Sequence, residues 1–251
     1  MKALSVKVNL SSDWEQEWER TYAYDWEKLW EEDWKYDYED LCPAPADGIR
    51  VQVYTSDGQR IESNLPDEGG RVAMPEGTHE LLFYNNDTEY IVFDGVAASA
   101  SESATATTRG VTRSSFQELH AGERTVNQPD MLYGAYMEEY TAEKTLAPTE
   151  LPVTLRPLVY TYMIRYEFES GQQYVALARG ALAGMAETVY LNDGHTGENA
   201  ATGLFDCTLE DYGAEALVQS LERKLWYSRS ACPTTRENIT GEAIRTGGGT
   251  A

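Results

Sequence analysis

The sequence is short of positive charge and of long apolar runs. It has 20 Lys and Arg residues against 42 Asp and Glu, which gives a formal net charge of -22 over 251 residues. Phosphate backbones and anionic lipid headgroups repel so acidic a chain, which excludes nucleic acid as a class of partner. No run approaches about 18 apolar residues, and no signal-type apolar segment follows the first residues, so the sequence predicts neither a membrane span nor a leader.

Cysteine is also scarce. The three cysteines are Cys42, Cys207 and Cys232. An odd number without a close-spaced pair predicts neither a disulfide framework nor a zinc knuckle. A bridge between Cys207 and Cys232 stays open, and this usage does not indicate a redox compartment.

What is present favours strands. Short runs rich in Val, Tyr, Ile and Thr alternate with turn signals over most of the chain, which predicts an all-β protein in both halves. IRVQVY, from Ile49 to Tyr54, alternates apolar and polar residues and predicts a half-buried strand. RVAM, PEG and THELLFYN follow one another from residue 71 and predict a hairpin, because Pro75 and Gly77 suit a tight turn.

The segment from Ala97 to Ser115 is rich in Ser, Thr and Ala and has almost no large apolar side chain. Such a segment buries little surface, so we expect a long surface loop there. Exposed Arg109 and Arg113 in this loop predict a protease-sensitive site, with a simple mobile loop as the plainer interpretation.

The prolines and missing periodicity of EKTLAPTELP predict a domain boundary near 145–150. The expected units are an N-terminal domain over residues 1–147 and a C-terminal domain over 148–220. The tail, residues 221–251, holds five basic and three acidic residues and shows no apolar alternation. We expect this tail to be mostly disordered.

Residues 12–40 form an acidic, aromatic insertion in the N-terminal domain. An aromatic residue occurs at every fourth position, among 12 acidic and 3 basic residues. That spacing fits one face of a strand or a slowly drifting stripe on a helix, and the many Glu residues favour the helix. The tryptophans of this row are Trp14, Trp18, Trp26, Trp30 and Trp34.

The tryptophan row has two interpretations. Rows of tryptophan at regular spacing usually pack on the protein's own core, with the acidic residues as a solvated face. The alternative is a ligand site, because indole rings stack on sugars and, beside carboxylates, attract cationic groups. Both interpretations stay open.

No catalytic or metal-binding constellation stands out. HELLF resembles half of a zinc-protease motif, but Phe83 stands where the second histidine is needed, so a surface strand residue is the plainer interpretation of His79. Asp193, His195 and Glu198 could approach a metal, yet turns collect such residues and the calcium-loop spacing is absent. The sequence predicts no catalytic residue, no metal and no cofactor; a hydrolase built from unplaced carboxylates is a remote third hypothesis.

Several segments, taken in order, resemble those of a known family. LSVKVNLSSDW is similar to its opening strand, and PEGTHELLFYNNDTEYIVFDG and GALAGMAETVYLNDG carry its NNDTE and LAGMAETVYL signatures. From Leu4 to Phe205 the chain resembles a DUF5119-like family of secreted Bacteroidetes lipoproteins of unknown function, related to fimbrillins and fimbrial accessory proteins.

The resemblance implies two tandem antiparallel β-sandwich domains of the transthyretin-like kind. It also implies an exported protein anchored at the outer membrane through a lipidated cysteine that this chain does not contain. The expected function is that of a non-enzymatic cell-surface protein, fimbrial accessory or adhesin-like, in contact with other surface or fimbrial proteins. The alternative is a carbohydrate-binding surface module that binds glycans through the tryptophan row.

The tail departs from the resemblance. After about Cys207 the family's second domain continues with further strands, whereas residues 221–251 do not resemble them. We expect a truncated or frame-shifted end. Related pilins polymerise by passing a strand between subunits, and this tail is a poor candidate for such a donor strand.

Overall fold

The computed structural model of the protein describes residues 5–14, 28, 36–41, 43–111, 119–145, 147–221 and 239–245. Almost all regular structure in these ranges is strand, which confirms the all-β prediction for both halves. The first nine strands are β1 (Ser5–Trp14), β2 (Gly48–Thr55), β3 (Arg60–Pro66), β4 (Gly69–Pro75), β5 (Gly77–Tyr84), β6 (Ile91–Asp94), β7 (Thr105–Thr108), β8 (Thr125–Val126) and β9 (Tyr133–Ala142). The other seven are β10 (Thr149–Pro157), β11 (Tyr160–Glu167), β12 (Val175–Ala186), β13 (Thr188–Tyr190), β14 (Ala200–Glu210), β15 (Gly213–Ser220) and β16 (Ile239–Arg245). Short 3-10 helices are η1 (Tyr38–Leu41), η2 (Ser101–Ser103) and η3 (Gln172–Tyr174).

Seven strands form one nearly closed, barrel-like sheet in the order β3-β2-β5-β9-β10-β1-β4. Its end strands, β3 and β4, are consecutive in the chain, and the turn at Asp67 and Glu68 brings the two ends of the sheet together. Gly69 follows this turn with φ +97°, and a Cβ atom there would lie 2.2 Å from the carbonyl oxygen of Leu10. Only glycine permits this close approach to β1.

The predicted hairpin over residues 71–85 is wrong, although both of its strands exist. β4 pairs antiparallel with β1, whereas β5 pairs with β2 and β9. The turn at Glu76 therefore carries the chain to a different part of the barrel-like sheet. Turn chemistry predicts a reversal of direction, but it does not determine which strand becomes the neighbour.

The interior of the barrel-like sheet holds the largest apolar cluster. Alternate residues of each strand point inward, as the two-residue period of a strand requires. The buried members are Val6, Val8, Leu10, Ala46, Ile49, Val51, Val53, Val72, Met74, Leu81, Phe83, Tyr133, Ala142, Leu151, Val153 and Leu155.

A second layer covers part of the outer face of this sheet. β13, β7 and β6 form a three-stranded sheet, and its apolar side chains pack on Tyr54 of β2 and on Leu82 and Tyr84 of β5. β5 is therefore buried on both faces, which explains the unbroken apolar run LLFY. The expectation that Ile49 to Tyr54 is half-buried is wrong, because Gln52 and Tyr54 are buried as well.

The predicted surface loop from Ala97 to Ser115 is wrong over the part that the structure describes. η2 and β7 lie there, and Ala104 and Ala106 are fully buried between the second layer and the barrel-like sheet. The large side chains of this core come from the opposite layer, with Tyr84 among them. Small alanines fit the space that remains, and the threonines between them favour a strand.

The third sheet has six strands. Five of them, which we call the five-stranded sheet, follow the order β11-β15-β14-β12-β16, and the sixth, β8, pairs parallel with β14. One face carries a small apolar cluster. Its buried members are Ile164, Leu182, Met185, Phe205, Ala216 and Val218.

Part of the tail forms a strand, β16, while its residues 222–238 and 246–251 lie outside the described ranges, so the expectation of a mostly disordered tail stays a prediction. β16 pairs antiparallel with β12 over a register from Leu182 with Ile239 to Val175 with Arg245. The free edge of β12 supplies hydrogen-bonding groups that a short β-branched segment can satisfy, even one without clear alternation. Leu221, the first residue of the expected tail, is buried.

Two other predictions are tested only in part. Of the segment 12–40 that was expected to be helical, Ser12 to Trp14 are strand and extend β1, and η1 lies near its end. Most of the segment, residues 15–27 and 29–35, lies outside the described ranges, so the helix there stays a prediction. The predicted boundary at 147/148 falls between β9 and β10, which share the barrel-like sheet. Division of the chain at that point stays a prediction.

Candidate functional site

The candidate site is a cleft between two strand edges in the barrel-like sheet. β9 and β10 pair only at Gly134 with Arg156 and at Tyr133 with Pro157, and then separate. The other edge of β9 pairs with β5, and the other edge of β10 pairs with β1. Over about seven residues, roughly 23 Å at 3.3 Å per residue, the two facing edges have no partner strand within the described part of the chain.

The separated edges enclose a groove of about 460 Å³. Its lining comes from both strands and from the turn after residue 190. The lining residues are Gly134, Ala135, Tyr136, Met137, Pro152, Val153, Thr154, Arg156, Leu158, Leu191, Asn192, Asp193 and Gly194.

Local sequence explains why the strands meet only at one end. A Cβ atom at Gly134 would lie 2.9 Å from Cδ1 of Leu158, so glycine permits the close contact where pairing begins. Pro152, which lies opposite Ser11 of β1, has no N–H group to contribute to a ladder. Leu151, Val153 and Leu155 point into the interior and hold β10 against the core.

Two polar side chains in the cleft, Tyr136 and Asn192, differ in their hydrogen bonding. The hydroxyl of Tyr136 donates to Oε1 of Glu80 at 2.6 Å, and burial together with this hydrogen bond raises the pKa of Tyr136 to about 12. Tyr136 is therefore neutral at physiological pH. The Oδ1 atom of Asn192 is buried and accepts no hydrogen bond from the described residues. Such an acceptor suits a donor that arrives from outside the molecule.

A cleft of this kind can accept an extended segment. Both facing edges present backbone N–H and C=O groups, which an incoming strand can pair with by β-augmentation. Glu80 also accepts a hydrogen bond from the hydroxyl of Ser101 in η2 at 2.6 Å, so the second layer helps to fix Tyr136 in the cleft.

The structure places only one residue of the predicted tryptophan row. Trp14 lies on β1 and packs on the core cluster, with its ring 4.9 Å from that of Tyr133 in an edge-to-face arrangement. Its Nε1 donates to the carbonyl oxygen of Asp67 at 3.3 Å. The other members, Trp18, Trp26, Trp30 and Trp34, lie outside the described residues. A ligand site formed by the row stays a prediction.

The predicted protease-sensitive pair is also seen only in part. Arg109 is exposed, and its backbone N–H donates to the carbonyl of Tyr90 while its carbonyl accepts from the N–H of Asn127. Arg113 lies outside the described residues. Cleavage at these residues stays a prediction.

The histidines differ from the expectations in one respect. His79 is buried, not on the surface, because it lies on the face of β5 that carries Leu81 and Phe83 and points into the barrel-like sheet. Its Nε2 donates to the carbonyl of Pro75 at 2.7 Å. His195 lies beside Asp193 at 2.5 Å and stacks on Tyr190. Within the described ranges no group of three or more His, Cys, Asp or Glu side chains could hold a metal ion.

Sequence reasoning missed the cleft. Pro152 and Pro157 within one nine-residue strand are the signal that could have indicated an incomplete ladder.

No helix in the described part of the chain is long and apolar enough to cross a bilayer. Cys207 carries a free thiol in the structure.

Known proteins resemble this chain in sequence and in fold. A Bacteroides ovatus protein named as a fimbrium anchoring subunit, Fim4B, is 27% identical over 151 residues, which are 59% of this chain and 43% of that protein. The match thus spans less than half of the relative. A crystal structure of a Bacteroides ovatus protein designated an adhesin has a TM-score of 0.68 at 19% identity, and covers 97% of this chain and 79% of the other.

A structure from Bacteroides thetaiotaomicron, described as polysaccharide binding proteins, has a TM-score of 0.50 at 9% identity, over 86% of this chain and 70% of the other. These two likenesses show the fold. The family model for "Domain of unknown function (DUF5119)" matches residues 19–206, well over half of the 251 residues. The resemblance seen in the sequence is thereby confirmed, and the chain belongs to the DUF5119 family.

Proposed function

We propose that the protein is a non-enzymatic fimbrial accessory subunit of the cell surface that receives an extended segment of another subunit in the cleft between β9 and β10. The observation that carries the proposal is the separation of these strands after two register pairs. A neighbouring strand would complete the ladder on both edges at once, which gives both affinity and a fixed orientation.

The relatives support the general role. One is named as a fimbrium anchoring subunit, and a structural neighbour is designated an adhesin. We further propose the arrangement that the family resemblance implied, with two tandem β-sandwich domains and export to an outer-membrane lipid anchor. An anchored accessory subunit contacts proteins rather than converting substrates.

The cleft can be blocked without touching the core. Thr154 is exposed on β10 and lines the groove, so Thr154→Lys places a charge on the edge that an incoming strand needs. Ser11→Lys is the matched control, because Ser11 is exposed on the adjacent strand β1 and does not line the groove. Both variants are expected to keep the stability of the wild type within about 0.5 kcal/mol.

The test is recovery of filaments from the native host. Surface filaments are sheared off, and the tagged protein is purified and its companions are identified by mass spectrometry. The proposal expects stoichiometric filament subunits with the wild type and with Ser11→Lys, and at least a tenfold loss with Thr154→Lys. Absence of filament subunits from the wild-type sample would refute the accessory role. Equal recovery with Thr154→Lys would refute the cleft as the contact.

A glycan-binding role is the second candidate. The fold similarity to a structure described as polysaccharide binding proteins supports this role. Trp14, the one described member of the tryptophan row, packs on the core instead. Binding through the remaining tryptophans would change indole fluorescence in a saturable way. A broad glycan set without any saturable change would remove this candidate.

A further inference from the structure

Three cationic side chains converge on one groove of this acidic protein. Lys7 of β1, Arg71 of β4 and Lys144, just after β9, line a groove of about 360 Å³. All three side chains are exposed. They belong to a chain with 20 basic and 42 acidic residues, so three cations in one groove run against the overall charge.

The described residues that line this groove include no acidic side chain. Its other lining residues are Val6, Thr145, Ala147 and Pro148. None of the three cations makes an ion pair within the described part of the chain, although two acidic residues, Glu143 and Glu150, are close in sequence to Lys144. Glu150 instead accepts a hydrogen bond from Nδ2 of Asn9 at 2.8 Å.

Strand register holds two of the cations together. β1 and β4 pair Lys7 with Ala73 and Asn9 with Arg71, so Lys7 and Arg71 are diagonal neighbours on the outer face of adjacent strands. Diagonal neighbours are within reach of long side chains, and like charges at such positions repel. The loop between β9 and β10 adds Lys144 from a third direction. An anion bound among them would relieve this repulsion.

We propose that this groove binds a phosphate monoester group. The guanidinium of Arg71 offers a planar fork that matches two phosphate oxygens, and the two lysines offer point charges for the third. A monoester carries about 1.5 to 2 negative charges at pH 7, which balances three cations better than a single carboxylate does. The inference is independent of the cleft, since no residue lines both grooves.

Two carriers could present this group, a soluble phosphorylated molecule or a lipid headgroup. Inorganic phosphate is therefore titrated into the full chain and followed by two-dimensional amide NMR. Flotation with phosphatidylcholine vesicles, with and without phosphatidic acid, forms the second arm. Saturable shifts are expected in the first arm at the lining residues that have an amide proton, which are Val6, Lys7, Arg71, Lys144, Thr145 and Ala147. If the protein binds phosphatidic acid vesicles but not free phosphate, the carrier is a lipid. If it binds free phosphate but not the vesicles, the carrier is a soluble molecule.

The variant Lys7→Gln/Arg71→Gln/Lys144→Gln replaces each of the three cationic side chains by an uncharged polar one. We expect it to lose at least tenfold in phosphate affinity, and Lys144→Gln alone, in a loop, to lose about threefold. Arg109→Gln removes an exposed cation elsewhere and should leave affinity unchanged. Phosphate shifts of equal size and affinity in the wild type and in the triple variant would overturn the proposal. So would the absence of binding in both arms.

Discussion

The barrel-like sheet and the five-stranded sheet bury their side chains in different ways. Sixteen buried residues fill the interior of the barrel-like sheet, and β5 is covered on its outer face as well. The cluster on the five-stranded sheet has six buried residues. Because apolar burial is the main favourable term in folding, the difference indicates that stability is concentrated in the first sheet and that the second depends more on individual contacts.

The five-stranded sheet instead buries charge. Glu215 of β15 is fully buried, and its Oε1 lies 3.8 Å from Nη1 of Arg165 on β11. The guanidinium of Arg165 also lies 3.7 Å from the ring centre of Tyr212. Burial and the neighbouring Glu215 carboxylate both raise the pKa of Tyr212, so its hydroxyl stays neutral. Buried ion pairs contribute less to stability than apolar packing of the same volume, yet they are costly to break.

The largest effect is expected from truncation within the barrel-like sheet. Phe83→Ala removes a fully buried ring from a strand that is enclosed on both faces, so little relaxation can fill the cavity. We expect a loss of about 4 to 5 kcal/mol in the free energy of unfolding. Phe205→Ala, in the smaller cluster, should cost about 3 kcal/mol or less. Urea denaturation followed by circular dichroism measures both, and an equal or larger loss for Phe205→Ala would contradict the comparison.

Breaking the buried ion pair comes next. Arg165→Met leaves Glu215 buried beside an apolar group, which should cost about 3 kcal/mol at pH 7. The double variant Arg165→Met/Glu215→Leu replaces both charges by apolar side chains and should recover most of that loss. The same urea titration measures how much of the loss the double variant recovers. A double variant no more stable than Arg165→Met would show that the pair does not act as a unit.

A smaller effect is expected from a single added methyl group. A Cβ atom at Gly180 of β12 would lie 2.1 Å from the ring of Phe205, whereas one at Gly203 of β14 would lie 3.9 Å from its nearest neighbour. Gly180→Ala should therefore cost about 1 to 3 kcal/mol through overpacking, and Gly203→Ala under about 1 kcal/mol. Thermal unfolding of the two variants measures the difference. Equal melting temperatures would mean that the small cluster adapts freely.

The sequence predicts those features of a sheet that depend on local pattern, and it does not predict those that depend on contacts with distant residues. Strand existence depends on local alternation, and Ile49, Val51 and Val53 are all buried as their pattern indicates. Burial of the opposite face depends on a layer supplied by distant residues, so Tyr54 could not be assigned from its own segment. The strand Thr105–Thr108 was missed because its core residues are alanines, which resemble loop composition.

The candidate site could not be predicted from the sequence, for a related reason. A cleft between β9 and β10 is a missing pairing, and pairing is a long-range property that turn signals do not encode. The basic groove brings Lys7, Arg71 and Lys144 together from three segments that are far apart in the chain. The family, in contrast, was evident from contiguous motifs, because such signatures are local.

The smallest effect concerns chemical reactivity rather than stability, and it reports on the five-stranded sheet alone. Cys207 is half-buried beside the small cluster, and burial, with a lesser contribution from Asp206, raises the pKa of its thiol to about 11. Since the thiolate is the reactive form, labelling at pH 8 should be on the order of 100-fold slower than that of a free thiol of pKa about 8.5. The rate should rise about tenfold for each pH unit up to pH 10.

The experiment uses a Cys42→Ser/Cys232→Ser background, so that only Cys207 reacts with a thiol reagent. Asp206→Asn removes the nearby negative charge and should lower the thiol pKa slightly, which speeds labelling a few-fold at pH 8. If Gly180→Ala loosens the small cluster, labelling should accelerate further there, whereas Phe83→Ala, measured where the protein is still folded, should change it less. Fast labelling in the background protein, with a rate that levels off above about pH 8.5 as for a free thiol, would mean that the five-stranded sheet opens readily, and that the two sheets differ in stability even more than their packing indicates.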